Sequence, residues 1–197
     1  EWSPFWHDAI DLLGFDGLIY QMVDNPEIVD AVMQHTADYY LAVSRRTFEA
    51  SGDAIDVFFI GNDFGAQAGP MLGPKAFRRF ILPHLKRFVD LGHEFGKHVI
   101  LHCDGSIRAL LPDLIAIELD GMQSVQPLCY GMELTGLKRD FGRQFTFMGG
   151  VDTQTLIEGT QEQARELTRR TLEIMMPGGG FIASPSHDYL LPETPVE

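Results

Sequence analysis

His102-Cys103-Asp104 is the triplet in this sequence best suited to chemistry. It follows a predicted strand at 99–101, so His102 and Asp104 face one side and Cys103 the other, because strand side chains alternate. His187, with Asp188 beside it, follows another predicted strand end. A His102/Asp104/His187 set can hold Zn²⁺ and leave a fourth position open. A zinc of that kind is a Lewis acid that lowers the pKa of a bound thiol or water and polarises an ether oxygen. The spacing also allows a second reading, in which His102 donates to a loop carbonyl and Asp104 caps the helix after Ser106. Asp63, in Asn62-Asp63-Phe64-Gly65-Ala66-Gln67, suits a general base, a substrate orienter or a turn former. Asn62, Gln67, Gln123 and Asp152 are candidate substrate-binding groups, Asp152 equally a structural link to the loop that follows it. Asp63 and His187 are the candidate catalytic pair. Cys103 and Cys129 read as core, as do Met71, Met122, Met132 and Met175. His7, His35, His84 and His93 read as surface or edge histidines. Arg78-Arg79, Lys86-Arg87 and Arg169-Arg170 read as solvated helix faces.

The elements that position these groups alternate between helix and strand. Trp2–Tyr20 reads as short helix and loop. Asn25-Pro26-Glu27 opens a helix to about Ala50: an Asn cap, a first-turn Pro and an acid in the first turn. A strand is predicted over Ile55–Ile60, then a helix over Pro74–Phe95 with a kink at Pro83. Val99–Leu101 is the next strand, and Ser106 is placed to cap a helix over Ile107–Ile117. Further strands are predicted at Gly121–Val125, Phe145–Met148 and Phe181–Ala183. Helices are expected at Leu134–Phe141 and, behind the capping box Thr160-Gln161-Glu162-Gln163, to about Met176. This is an α/β pattern with a parallel sheet. About five strands are present, against the eight strands and ~250 residues of a closed (β/α)8 barrel. The chain therefore reads as a single partial barrel domain over 1–197, with an open doubly wound sheet as the alternative. No GxGxxG follows a strand. The polar groups singled out above fall at strand C-terminal ends, the face where barrel active sites are built.

With 197 residues, 45% apolar and 22% charged, the chain has an ordinary globular composition, which excludes a disordered tail or a disulfide mini-scaffold. Its net charge of −13 disfavours nucleic acid and anionic membranes as partners. Residues 1–44 contain eight acids and no Lys or Arg, a solvated acidic edge or a cation-attracting face. Two cysteines make no disulfide framework, so a cytoplasmic setting is expected. No apolar run approaches the ~18 residues that would span a bilayer. The sequence opens at Glu1 without Met and stops at Pro195-Val196-Glu197, which reads as part of something longer.

Five phrases together resemble the uroporphyrinogen decarboxylase superfamily. They are the segments 61–67 (GNDFGAQ), 99–105 (VILHCDG), 120–127 (DGMQSVQP), 147–152 (FMGGVD) and 178–187 (GGGFIASPSH), in matching order over roughly 55–197. The resemblance implies a (β/α)8 barrel whose first strands lie outside this sequence. It also implies one of two chemistries: cofactor-free decarboxylation of a tetrapyrrole, or zinc-dependent methyl transfer involving corrinoid proteins and thiols or methyl ethers. In the methyltransferases zinc is held by a His-x-Cys pair and a later Cys. His102 matches the His, while Asp104 and His187 stand where the two Cys would be, which implies a harder N/O site. A uroporphyrinogen carries eight carboxylates and needs clustered Arg and Lys. None of the five phrases contains either; Arg108 lies just after one. The favoured expectation is thus a zinc-dependent methyltransferase or demethylase acting on a small methyl donor or acceptor, with a corrinoid protein as partner. A metal-free decarboxylase is the runner-up. A non-catalytic barrel fragment or binding module is the third reading, since open sheet edges favour pairing, including a homodimer.

Overall fold

The computed structural model describes residues 4–189 and 192–195. Trp2 and Ser3 of the expected N-terminal stretch, and Val196 and Glu197, lie outside the described residues. The aromatic-rich start forms two helices, α1 (Trp6–Leu13) and α2 (Phe15–Asp24). Then α3 (Pro26–Ser51) begins with Pro at its first position and Glu27 in its first turn, as the sequence implies. Asn25 does not cap it. Helix α2 ends one residue earlier, and the Asn25 amide turns back to donate to Gln21 Oε1 at 2.9 Å.

The next elements are β1 (Val57–Gly61) and a short antiparallel pair, β2 (Gly65–Ala66) with β3 (Gly69–Pro70), which the polar loop sequence does not announce. The helix expected over Pro74–Phe95 is broken into α4 (Pro74–Ala76), a π-helical turn over Phe77–Ile81, and α5 (Leu82–Glu94). Pro83 lacks an N–H and its ring crowds the carbonyl four residues back, so the wider π turn replaces the sharp kink. Strand β4 (His98–His102) is followed by a 3₁₀ turn (Arg108–Leu110) and α6 (Leu111–Ala116). Ser106 does not cap this helix, because its hydroxyl donates to Tyr130 O at 2.6 Å instead. The chain continues through β5 (Gly121–Val125), α7 (Leu134–Phe141), β6 (Thr146–Val151), α8 (Thr153–Glu158), α9 (Gln161–Met175) and β7 (Phe181–Pro185). The capping box at Thr160 and Gln163 is formed with both its hydrogen bonds.

The five-stranded sheet has the order β1-β4-β5-β6-β7, with β5–β6 and β6–β7 parallel. The order never reverses. A doubly wound sheet needs such a reversal to make its ligand crevice, so this is the topology of an incomplete (β/α)8 barrel and not the alternative. None of the described helices is long and apolar enough to cross a membrane.

Two compact units make up the chain. The first comprises Glu1–Asp63, Leu72–Leu101 and Pro112–Leu119; the second, Phe64–Met71, His102–Leu111 and Asp120–Glu197. An aromatic chain forms the core of the first. Phe5 stacks on Phe88 at 5.8 Å between centroids, Phe88 meets Phe58 at 6.2 Å, and Phe58 meets Phe48 edge-on at 5.0 Å. Each ring is at most 4% exposed, so each carries its full apolar area and a further ~0.5–1.5 kcal/mol per pair. The second unit buries Met122, Val125, Met132, Phe147 and Met175 completely. Met71 departs from its expected core position and is 39% exposed.

His84 is also not at the surface. It is 8% exposed and its Nδ1 is buried with no partner among the described residues. Burial pushes its pKa below the usual histidine range. Arg87 adds to that shift, while Asp30 and Asp38 oppose it. The stability it contributes is present above the unfolded value of 6.5 and is lost as pH falls through the lower folded value. The melting temperature of the wild type should therefore fall more steeply between about pH 6.5 and 5 than that of His84→Gln. Parallel melting curves across that range would remove the linkage.

Candidate functional site

In the second unit the C-terminal end of β4 delivers His102, Cys103 and Asp104. The backbone there is held by a close approach of two glycines. A Cβ on Gly65 would lie 2.4 Å from the Asp104 carbonyl oxygen, and one on Gly105 would lie 2.6 Å from the Gly65 carbonyl carbon. Gly105 also has φ +78°, a region that side chains disfavour. No larger residue fits either position, and the turn after β4 is thereby set.

His102 is 4% exposed. Its Nδ1 meets Gln123 Oε1 and lies 3.2 Å from Asp188 Oδ1, and Gln123 Nε2 donates to the same Asp188 oxygen at 2.7 Å. One ring nitrogen is thus anchored by an amide and a carboxylate, an arrangement that orients the ring of a metal-bound histidine. Coordination would fall to Nε2. Asp104 Oδ1 accepts from Ser124 Oγ at 2.6 Å and from Gln126 Nε2 at 2.9 Å, which turns Oδ2 toward the ligand role. It does not cap a helix. By donor chemistry and anchoring this pair can supply two of the protein ligands of a zinc.

His187 departs from the expected set. Among the described residues it joins no group of three side chains able to share a metal. Its ring packs edge-on against Tyr189 at 4.7 Å, with Nδ1 buried and without a partner among the described residues. It instead lines a cleft of about 220 Å³ with Gln67, Gln126, Cys129, Asp152 and Ser186. The turn after β7 decides this. Ser186 N donates to Val151 O at 2.8 Å, and Thr153 N donates to Ser186 Oγ at 3.0 Å, so the backbone is tied to β6 before His187 leaves it.

The other candidates take different roles. Gln67 Oε1 lies 3.5 Å from the Cys129 thiol, and Gln123 is the anchor of His102 rather than a cleft residue. Asp152 lines the cleft but spends Oδ2 on Thr155, accepting from its N–H and its hydroxyl at 2.8 Å each and so capping α8. Asn62 and Asp63 close the first segment of the first unit. Asn62 is fully buried, and neither amide atom has a partner among the described residues. An unpaired buried polar group costs about 1–3 kcal/mol, so Asn62 suits a place where a ligand or water completes the bonding.

Cys103 is core, its Sγ accepting from Phe64 N at 3.1 Å. Cys129 belongs to the cleft, a role no spacing in the sequence marks. Ser124 and Gln126 were equally unmarked, yet the pair of amides in Gln123-Ser124-Val125-Gln126 is the signal that could have found them. Burial, and then the charge of Asp104, push the Cys129 thiol above the ordinary range, so it stays protonated at neutral pH. Iodoacetamide should therefore label Cys129 at about pH 7.5 roughly tenfold more slowly than it labels a free cysteine peptide, as read by mass spectrometry. Equal rates would mean an exposed thiolate and a different cleft.

Residues 6–197 match the sequence model of the family described as Uroporphyrinogen decarboxylase (URO-D). A curated relative, the uroporphyrinogen decarboxylase of Syntrophotalea carbinolica (strain DSM 2380 / NBRC 103641 / GraBd1), is 28% identical over 185 residues, covering 94% of this chain and 49% of the relative. Among solved structures, a methyltransferase from Methanosarcina mazei superposes with a TM-score of 0.75 over 98% of this chain and 53% of its own, at 19% identity. That likeness is one of fold. The chain spans about half the length of both proteins. With the family match running over nearly its whole length, this chain belongs to the uroporphyrinogen decarboxylase family.

Proposed function

We propose that the chain serves zinc-dependent methyl transfer, with a corrinoid protein as partner, rather than decarboxylation of a uroporphyrinogen. One observation carries this reading: among the described residues, no Lys or Arg lines the cleft around His187. Buried carboxylates need bidentate cationic partners, and eight of them need several. Arg108, the basic residue next to the strand-end phrases, is already engaged. Its Nη1 donates to Gly131 O at 3.1 Å and its Nη2 pairs with Asp140. Neutral amides, a protonated thiol and a half-buried histidine suit an uncharged methyl donor or acceptor instead.

In this reading His102 and Asp104 hold the metal. Zinc, when bound, supplies Lewis acidity that lowers the pKa of a thiol or water. The side chains do the rest. Gln123 and Asp188 keep Nδ1 of His102 engaged, and Ser124 and Gln126 keep Asp104 in place. Gln67 orients the substrate, His187 moves a proton within the cleft, and Asp63 acts as base or orienter. Asn62 offers a donor and an acceptor side by side.

Metal analysis of the purified chain should find roughly one zinc per molecule. His102→Ala and Asp104→Ala should each lose it, whereas His187→Ala should retain zinc and lose methyl transfer from methylcobalamin to a small thiol. A zinc-free wild type that binds uroporphyrinogen would overturn the reading in favour of the decarboxylase.

A further inference from the structure

The sequence places His7 among unremarkable edge histidines. The structure gives it a different setting. Two consecutive residues of α1 reach the end of β1 in the first unit. Trp6 Nε1 donates to the Asp63 carbonyl at 2.8 Å, across 57 positions of sequence. His7 Nε2 lies 3.8 Å from Asp63 Oδ2, with both side chains about one-third exposed (30% and 32%).

The ring's other nitrogen decides its tautomer. His7 Nδ1 is buried and has no partner among the described residues. A buried N–H without an acceptor is rarer and costlier than a lone pair without a donor. The neutral ring therefore carries its proton on Nε2, the nitrogen on the side of the Asp63 carboxylate. The backbone bears on this as well. Phe5, immediately before Trp6, has φ 50° and ψ −50°, a strained setting for a residue with a side chain, and it is completely buried. Strain of this kind persists only where the surroundings over-determine it. Here the stacking of Phe5 on Phe88 holds it, and the helix start that follows is aimed at Asp63.

We infer that His7 is a positioning residue for Asp63: its ring edge, 3.8 Å from the carboxylate, limits that carboxylate to the orientation used on substrate, while Trp6 fixes the backbone beneath it. The inference rests on the reading that Asp63 acts in methyl transfer. It adds a group from a segment about fifty residues away that no strand-end motif contains.

Two experiments on the full chain separate the contact from its use. The first is a double-mutant cycle on melting temperature with His7→Ala, Asp63→Ala and the double variant. The double variant should lose about 1–3 °C less than the sum of the singles, the range for a partly exposed polar pair in a chain of this size. Additive losses would overturn the inference. The second is steady-state methyl transfer from methylcobalamin to a small thiol. His7→Ala should lower kcat about tenfold with KM unchanged, and His7→Gln, whose amide N–H can replace Nε2–H, should recover most of it. A wild-type kcat in His7→Ala, or equal losses in the Ala and Gln variants, would also overturn it. If the wild type transfers no methyl group, the functional reading fails alone, because the cycle still reports whether His7 holds Asp63.

Discussion

The carboxylate of Asp104 is the point to which the second unit's polar architecture refers. Its Oδ1 receives Ser124 and Gln126, and both of those side chains also reach the carbonyl of Ser186, at 3.1 and 3.3 Å. Gln126 Oε1 accepts from Gly105 N at 2.9 Å, so a single amide binds the turn after β4 on both its faces. Three strand ends are thereby joined through one acid. In a low-dielectric setting such a network is rigid only when every member is satisfied, and removing one member strands the rest. The glycine pair Gly65 and Gly105 makes the network possible, because only backbones without Cβ approach closely enough.

Charge sorts the molecule in a second way. The net of −13 is not spread evenly, and the cations present are mostly committed to acids on helix surfaces. Arg79 forks onto Asp30, Arg78 onto Asp113, and Arg169 and Arg170 onto Glu166, whose pKa is lowered to about 2 by those two guanidinium groups. These exposed pairs contribute little to stability. They hold those cations on helix surfaces, outside the lining of the cleft. Among the described residues the cleft lined by Gln67, Gln126, Cys129, Asp152 and His187 is polar without being cationic.

Much of the fold is legible in local pattern. Pro26 at a helix start, the Thr160–Gln163 box and the strand at Gly121–Val125 all stand where their residues imply, because caps and alternation act within a few positions. Expected caps are lost where another group competes, near or far in sequence. Ser106 was free to cap a helix until Tyr130 O supplied a better acceptor. Asn25 was free to cap α3 until Gln21 claimed its amide. The π turn before Pro83 is a local effect, but its choice over a kink depends on burying Phe77, Phe80 and Ile81 together.

The sequence by itself determined the alternation of helix and strand, the family resemblance, and the gathering of polar residues at strand ends. Those properties follow from short-range periodicity and from side-chain chemistry, which need no partner. Tertiary structure alone decided which of those residues work together. It put His187 in the lining of the cleft, made Cys129 a cleft residue, gave Gln123 to His102, and brought His7 to Asp63. The direction of a side chain beyond a strand end depends on which backbone groups reach it first, and in this chain those groups come from positions far away in sequence.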